Sequence, residues 1–90
     1  MKTYTIYHHW DSPNYAGYEF PGAYLDRDRA IRKMKFLADA DRWRREQCGD
    51  EWDADLCQND DTCISYGFYG EGFYCDTTNV WELVEQEVIE

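Results

Sequence analysis

Residues 26–47 carry the longest helical pattern of this chain, and segments with strand-like alternation lie on both sides of it. Asp26 is a residue type that caps helix N-termini, and Gly49 is a residue type that ends helices. Apolar residues recur between them at helical spacing, which predicts one buried face made of Ala30, Ile31, Met34, Leu37 and Ala38. We therefore expect the fold to be built around one long helix.

Two strands are predicted before this helix. In residues 3–10 the even-numbered positions share one face, because side chains alternate along a strand. A second strand is expected over residues 18–25. Pro21 should place it at a sheet edge or at a bulge, since proline cannot donate a hydrogen bond to a neighbouring strand.

The segments after the helix are predicted to complete the sheet. Residues 50–62 are rich in acids and are expected to form an irregular loop, whereas residues 63–69 and 73–77 are expected to form a hairpin. Residues 80–89 fit either a helix or a strand, and their β-branched content favours a strand. The predicted order is β-β-α-β-β-β, an α+β fold in which one helix packs on a face of a four- to five-stranded antiparallel sheet. Ninety residues make this one domain, residues 1–90.

Positive charge is confined to one half of the sequence. All nine Lys and Arg lie in residues 1–47, together with seven acids, for a balance of +2. Residues 48–90 contain twelve acids and no Lys or Arg, a balance of −12. Charge separation of this kind is typical of proteins that bind an electrostatic partner, although acids can also serve only to keep a small domain soluble.

The overall charge and the short apolar runs argue against several classes of function. A net charge of −10 argues against direct binding of nucleic-acid phosphates. No apolar run is long enough for a membrane span, and the N-terminal residues lack the apolar core of a signal peptide. We therefore expect neither nucleic acid nor a membrane as a direct partner, and we expect a cytoplasmic protein.

The four cysteines follow the spacing C-x8-C-x5-C-x11-C, with Cys48, Cys57, Cys63 and Cys75. Three readings stay open: reduced thiols that pack in the fold, one or two disulfides, or a zinc site completed by His8 or His9. Structural zinc sites have closely spaced pairs of ligands, and this chain has none. The sequence thus favours reduced thiols and predicts no metal or cofactor.

Neither a calcium site nor a catalytic site is predicted. Residues 53–58 contain two alternating acids, but they lack the third ligand and the glycine of an EF-hand loop. The chain also has no nucleophile elbow, phosphate-binding loop, dinucleotide-binding motif or zinc-protease motif. Pairs of a cysteine with His8 or His9 are common by chance in such a composition. We therefore expect a protein that is not an enzyme.

The acids of the second half are the predicted partner-binding residues: Asp50, Glu51, Asp53, Asp55, Asp60, Asp61, Glu71 and Asp76. In size and in the acidic, cation-free composition of its second half, the chain resembles the small acidic inhibitors that phages and mobile elements make against host nucleic-acid enzymes, namely anti-CRISPR and anti-restriction proteins. The resemblance implies a non-enzymatic protein that occupies a basic nucleic-acid groove, such as that of a CRISPR effector, in the cytoplasm of an infected cell. Because residues 1–47 are slightly basic, one acidic face is expected rather than an acidic surface all round.

An alternative function uses aromatic residues rather than charge. Phe36, Ala40 and Trp43 form a second line on the predicted helix, nearly opposite its core face. We expect the acidic half or a loop to cover this line. If Phe36 and Trp43 are exposed instead, they indicate an accessory protein-interaction domain without nucleic-acid mimicry. The sequence leaves the oligomeric state open.

Overall fold

The computed structural model describes residues 1–12, 16–47, 53–69 and 77–88, with the backbone alone for residues 53–57 and 69. Five strands and one helix follow one another as β1 (Lys2–Asp11), β2 (Ala16–Tyr24), α1 (Arg27–Gln47), β3 (Asp53–Asn59), β4 (Cys63–Tyr69) and β5 (Thr77–Glu87). The strands form one sheet in the order β2-β1-β5-β4-β3, and each neighbouring pair is antiparallel. The predicted α+β fold and its element order are confirmed.

The first two strands form as their sequence patterns predict. Ile6 and His8 are buried on the same side of β1, as alternation requires. Strand β2 lies at an edge of the sheet, and its register against β1 shifts where Phe20 and Pro21 stand opposite Tyr7. The missing N–H of proline is tolerated there, because the ladder is already interrupted.

The side chain of Asp26 caps the N-terminus of helix α1. Asp26 Oδ1 accepts hydrogen bonds from the backbone N–H groups of Asp28 at 3.0 Å and Arg29 at 3.4 Å. These bonds satisfy N–H groups that have no partner within the helix. The helix ends at Gln47, while Gly49, expected to terminate it, lies outside the described residues.

The core lies between α1 and one face of the sheet. Met34 and Ala38 from the helix are fully buried against side chains of β1, β4 and β5, namely Ile6, Ile64, Tyr66, Phe68 and Trp81. Leu37 is only partly buried and packs at the margin of this cluster. Burial of large apolar and aromatic side chains is the main favourable contribution to folding, so the helix is held chiefly by this contact.

The boundaries predicted after the helix need correction. Residues 53–59, expected within an acidic loop, form the edge strand β3, because Ala54 and Leu56 alternate with the acids in a strand pattern. Residues 60–62 form the turn to β4. Strand β5 begins at Thr77, three residues before the predicted start at residue 80. The ambiguous segment is a strand as far as Glu87, and residues 73–76 of the expected hairpin lie outside the described residues.

One face of the sheet has no helix on it within the described chain. We call this face, which is turned away from α1, the open face. Cross-strand neighbours share a face, so the register assigns its described positions: 3, 5, 7, 9 and 11 on β1; 16, 18, 20 and 23 on β2; 58 on β3; 63, 65 and 67 on β4; and 78, 80, 82, 84 and 86 on β5. The molecule thus has a helix layer and an open sheet face.

Candidate functional site

The structure brings only part of the predicted acidic site into view. Asp50, Glu51, Glu71 and Asp76 lie outside the described residues. For Asp53 and Asp55 the backbone is described, and it places them in β3 opposite Tyr69 and Gly67. Asp60 and Asp61 lie side by side in the turn between β3 and β4. Of the predicted contact residues, Asp60 and Asp61 are the two whose side chains the structure describes.

Asp60 holds the β3–β4 turn together. Its Oδ1 accepts hydrogen bonds from the backbone N–H groups of Thr62 at 2.9 Å and Cys63 at 2.8 Å, and its Oδ2 accepts one from Gln58 Nε2 at 2.9 Å. These donors favour the charged carboxylate, and the Gln58 amide above all lowers the pKa of Asp60 to about 2. The role of Asp60 is therefore structural, and it is a poor candidate for a free contact residue.

Asp61 connects the turn to the helix. Its Oδ1 lies 3.1 Å from Lys35 Nζ, and both side chains remain about half exposed. An exposed pair of this kind adds little stability. Asp61 therefore stays available to a partner whose Lys or Arg binds its carboxylate more strongly than Lys35 does.

The helix layer contains nearly all the positive charge of the chain. Eight of the nine Lys and Arg residues belong to α1, and the ninth, Lys2, pairs with Glu85 at 3.3 Å. Near the end of the helix, Arg44 and Arg45 donate to Asp41 at 2.8 Å and 3.2 Å. The segregation seen along the sequence thus becomes a separation between layers.

The open face carries no Lys or Arg at any of its described positions. Among its residues with described side chains, the charged ones are Asp11 and Glu82, and His9 Nε2 lies 3.5 Å from Glu82 Oε1. Beside them is an aromatic cluster in which the Tyr7 and Phe20 rings meet edge to face with centroids 4.8 Å apart. Tyr18 packs on Phe20 at 5.6 Å, and these two side chains are 72% and 58% exposed. This combination of exposed rings and carboxylates is suited to cationic side chains, above all arginine.

A buried polar network joins the helix to the sheet, and sequence reasoning missed it. Tyr66 Oη donates to Asp41 Oδ2 at 2.5 Å and accepts a hydrogen bond from Trp81 Nε1 at 2.9 Å. Burial raises the pKa of the Tyr66 hydroxyl, and the hydrogen bond to Asp41 raises it further. The available signal was spacing, because Asp41 lies three residues after Ala38 and seven after Met34, on the core face of the helix.

His8 extends the polar core toward β2. Its ring stacks on Trp81 with centroids 3.7 Å apart, and its side chain is 4% exposed. Nδ1 lies 2.8 Å from Glu19 Oε1, and Nε2 lies 3.0 Å from Asn79 Oδ1. With both ring nitrogens engaged and the ring buried, His8 is placed for structure rather than for contact with a substrate.

Cys63 is the one cysteine whose side chain is described, and it is a free thiol. Partial burial raises its pKa, and the nearby carboxylates of Glu82 and Asp60 add to the shift. A raised pKa lowers the fraction of thiolate, the nucleophilic form. Cys48 and Cys75 lie outside the described residues, and within them no group of His, Cys, Asp or Glu side chains could hold a metal ion.

The prediction that the acidic half or a loop covers Phe36 and Trp43 is wrong. Phe36 and Trp43 are 64% and 65% exposed. The helix uses its opposite side for the core, so these two rings face away from the sheet. Their exposure gives the molecule a second surface that a partner could recognise.

Comparison with known protein families, curated proteins and solved structures found no match to this chain. Among the described residues, no helix is long and apolar enough to cross a membrane.

Proposed function

We propose that this chain is a non-enzymatic binding protein whose open face occupies a basic, nucleic-acid-binding surface of a partner protein. The observation that carries the proposal is the absence of Lys and Arg from every described position of that face, in a chain that has eight of its nine cations on the helix. A basic partner surface meets no opposing cation there.

The chemistry of the open face matches arginine-rich surfaces in two ways. Glu82 and Asp11 offer carboxylates, and the guanidinium group binds carboxylates through paired hydrogen bonds. The rings of Tyr7, Tyr18 and Phe20 offer flat, partly exposed faces on which a guanidinium can stack. Grooves that hold phosphates present these same arginine and lysine side chains.

The net charge supports competition with nucleic acid. A protein of charge −10 is steered toward a cationic groove and associates fast at low salt. The predicted contact acids Asp50, Glu51, Asp53, Asp55, Asp61, Glu71 and Asp76 remain part of this proposal. Asp60 leaves it, because its carboxylate is committed to the β3–β4 turn.

An inhibitor of a host nucleic-acid enzyme, of the anti-CRISPR or anti-restriction kind, has this chemistry. Such a protein needs no cofactor and no catalytic residue, because it acts by covering a groove. Its place of action is the cytoplasm of the host cell, where those enzymes work.

The test is capture of a partner by the wild-type protein and by a variant of the open face. Tyr18→Ala, Phe20→Ala and Glu82→Gln together remove two exposed rings and one carboxylate without touching the buried cluster. Phe36→Ala with Trp43→Ala is the matched control on the opposite layer. Wild type and control should both capture a nucleic-acid-binding protein from host lysate, and the open-face variant should fail to capture it. Adding the nucleic acid that the captured protein binds should displace that protein from the wild type. Equal capture by all three proteins would contradict the proposal.

A further inference from the structure

We propose that the outward side of α1 is a second docking surface, one that binds an acidic amphipathic helix of a partner protein. This surface, the helix stripe, consists of Arg29, Arg32, Lys33, Phe36, Ala40 and Trp43. It lies on the layer opposite the open face and does not rest on the function proposed above.

The helix stripe is a continuous line. Its residues follow one another at intervals of three and four, so they share the side of α1 opposite the buried Met34, Ala38 and Asp41. From Arg29 to Trp43 the line is about 21 Å long, at 1.5 Å per residue. A line of this length matches about four turns of a partner helix.

Apolar anchors occupy the second half of the stripe. Phe36 is 64% and Trp43 is 65% exposed, and Ala40 between them is exposed as well. A helix that packs on a sheet with one face ordinarily carries polar side chains on the other. Anchors spaced four and three residues apart are the pattern through which helices bind each other's grooves.

The first half of the stripe carries positive charge that no described carboxylate neutralises. Arg29, Arg32 and Lys33 form no ion pair within the described chain, although Lys35, Arg44 and Arg45 on the same helix each have one. Arg29 lies over the Tyr24 ring, and Lys33 lies over the Phe36 ring at 5.5 Å. In a chain with about two acids for each cation, such an unpaired cluster favours an anionic partner.

These cations and rings line one open groove. It is lined by Tyr24, Arg29, Arg32, Lys33 and Phe36 and has a volume of about 660 Å³. Carboxylates of a partner helix can meet the three cations while apolar side chains from its other turns cover Phe36 and Trp43. Charge and apolar contact thus act along the same line.

An acidic helix fits this surface better than the other anionic or apolar occupants. A nucleic acid would continue past the short cationic segment into a molecule of charge −10. The helix stripe of a second copy of this chain contains no carboxylate, so it could not neutralise Arg29, Arg32 and Lys33. A short acidic segment needs only the local positive charge.

The test uses a synthetic peptide of about 15 residues, with Leu at helical spacing on one face and Glu on the other. The control is a peptide of the same composition with its residues in scrambled order. Binding of the labelled peptides to the full chain is followed by fluorescence anisotropy. The amphipathic peptide should bind, and Phe36→Ala with Trp43→Ala should weaken it by about tenfold or more. Reversing the charges with Arg29→Glu, Arg32→Glu and Lys33→Glu should weaken it at least as much.

Controls make each outcome decisive. Tyr18→Ala with Phe20→Ala removes equally exposed rings from the open face and should leave peptide binding unchanged. Equal binding of both peptides, or no effect of the stripe variants, would overturn the proposal. So would tighter binding of an oligothymidylate than of the peptide, or a dimer in light scattering that the Phe36 and Trp43 variant abolishes.

Discussion

The carboxylate of Asp41 is nearly fully buried, and three side chains compensate for the loss of water around it. Arg44 and Arg45 approach it from the same helix, and Tyr66 donates to it from strand β4. A buried carboxylate without such partners would be costly. The same hydroxyl of Tyr66 also satisfies the indole N–H of Trp81, so one oxygen completes two buried hydrogen bonds.

Replacing Tyr66 with phenylalanine is expected to lower the free energy of unfolding by about 1–3 kcal/mol, because Asp41 and Trp81 each lose a buried partner. Tyr18→Phe is the matched control, since Tyr18 is 72% exposed and its loss of a hydroxyl should have little effect. Urea unfolding of both variants measures the difference. Equal stabilities would show that the hydroxyl of Tyr66 contributes nothing.

Asp60 links stability to pH. Its pKa in the folded chain is about 2, below the ordinary value of 3.8, so its charged form stabilises the fold at pH values above 3.8. That stabilisation is lost as the pH falls from 3.8 toward 2. Asp60→Ala should therefore melt at a lower temperature than wild type near neutral pH, and the gap should narrow over this acid range. Asp61→Ala, which removes only an exposed ion pair, should show a smaller gap. A gap for Asp60→Ala that stays constant down to pH 2 would contradict this role.

The thiol of Cys63 should react slowly. Partial burial raises its pKa above the ordinary value of 9.0, so it holds less thiolate than free cysteine at mildly alkaline pH. In a chain with Cys48, Cys57 and Cys75 changed to serine, alkylation by iodoacetamide should be slower than that of free cysteine. Faster alkylation would indicate an activated thiol and would reopen a catalytic role.

Among the secondary-structure elements, helix α1 has one buried side and one exposed side. One side buries Met34 and Ala38 against the sheet, and the other exposes Phe36 and Trp43. Met34→Ala should lower the free energy of unfolding by about 2–5 kcal/mol, because it leaves a cavity in the core. Arg32→Ala on the exposed side should change it by about 0.5 kcal/mol or less. Chemical unfolding compares the two, and similar losses would show that the helix is oriented differently.

The sequence predicted those elements whose apolar residues recur with a clear strand or helix period. Alternation identified β1, and apolar spacing with the capping Asp26 identified α1. Strand β3 was missed because its acids suggested a loop, although Ala54 and Leu56 alternate with them. An edge strand tolerates such charges, which also discourage pairing with other chains.

The candidate site was predictable in charge but not in position. Counting Lys and Arg identified the cation-free half, and register was needed to show that a whole sheet face lacks them. The cluster of Tyr7, Tyr18 and Phe20 depends on the bulge between β1 and β2, and no local pattern reports how a bulge turns a ring. The hydrogen bonds of Asp60 could not be predicted either. An aspartate in a turn has the same sequence signature whether its carboxylate accepts hydrogen bonds from the turn or contacts a partner.

In the whole molecule the two layers differ in charge, and we propose that they bind different partners. The helix layer collects the cations, and the open face has none at its described positions. Raising the salt concentration should weaken binding at the open face steeply, because screening removes attraction between exposed charges. Binding of the captured partner, measured at low and high salt, checks this. An affinity that is unchanged by salt would show that aromatic contact alone holds the complex.

We propose that the open face binds cationic side chains. The most direct test is an NMR titration of the isotope-labelled chain with an arginine-rich peptide, observing the backbone amides. We expect shifts concentrated at Tyr7, Tyr18, Phe20 and Glu82, with little change at Arg29 and Arg32 on the helix. Shifts confined to α1, or shifts spread evenly over the surface, would contradict it.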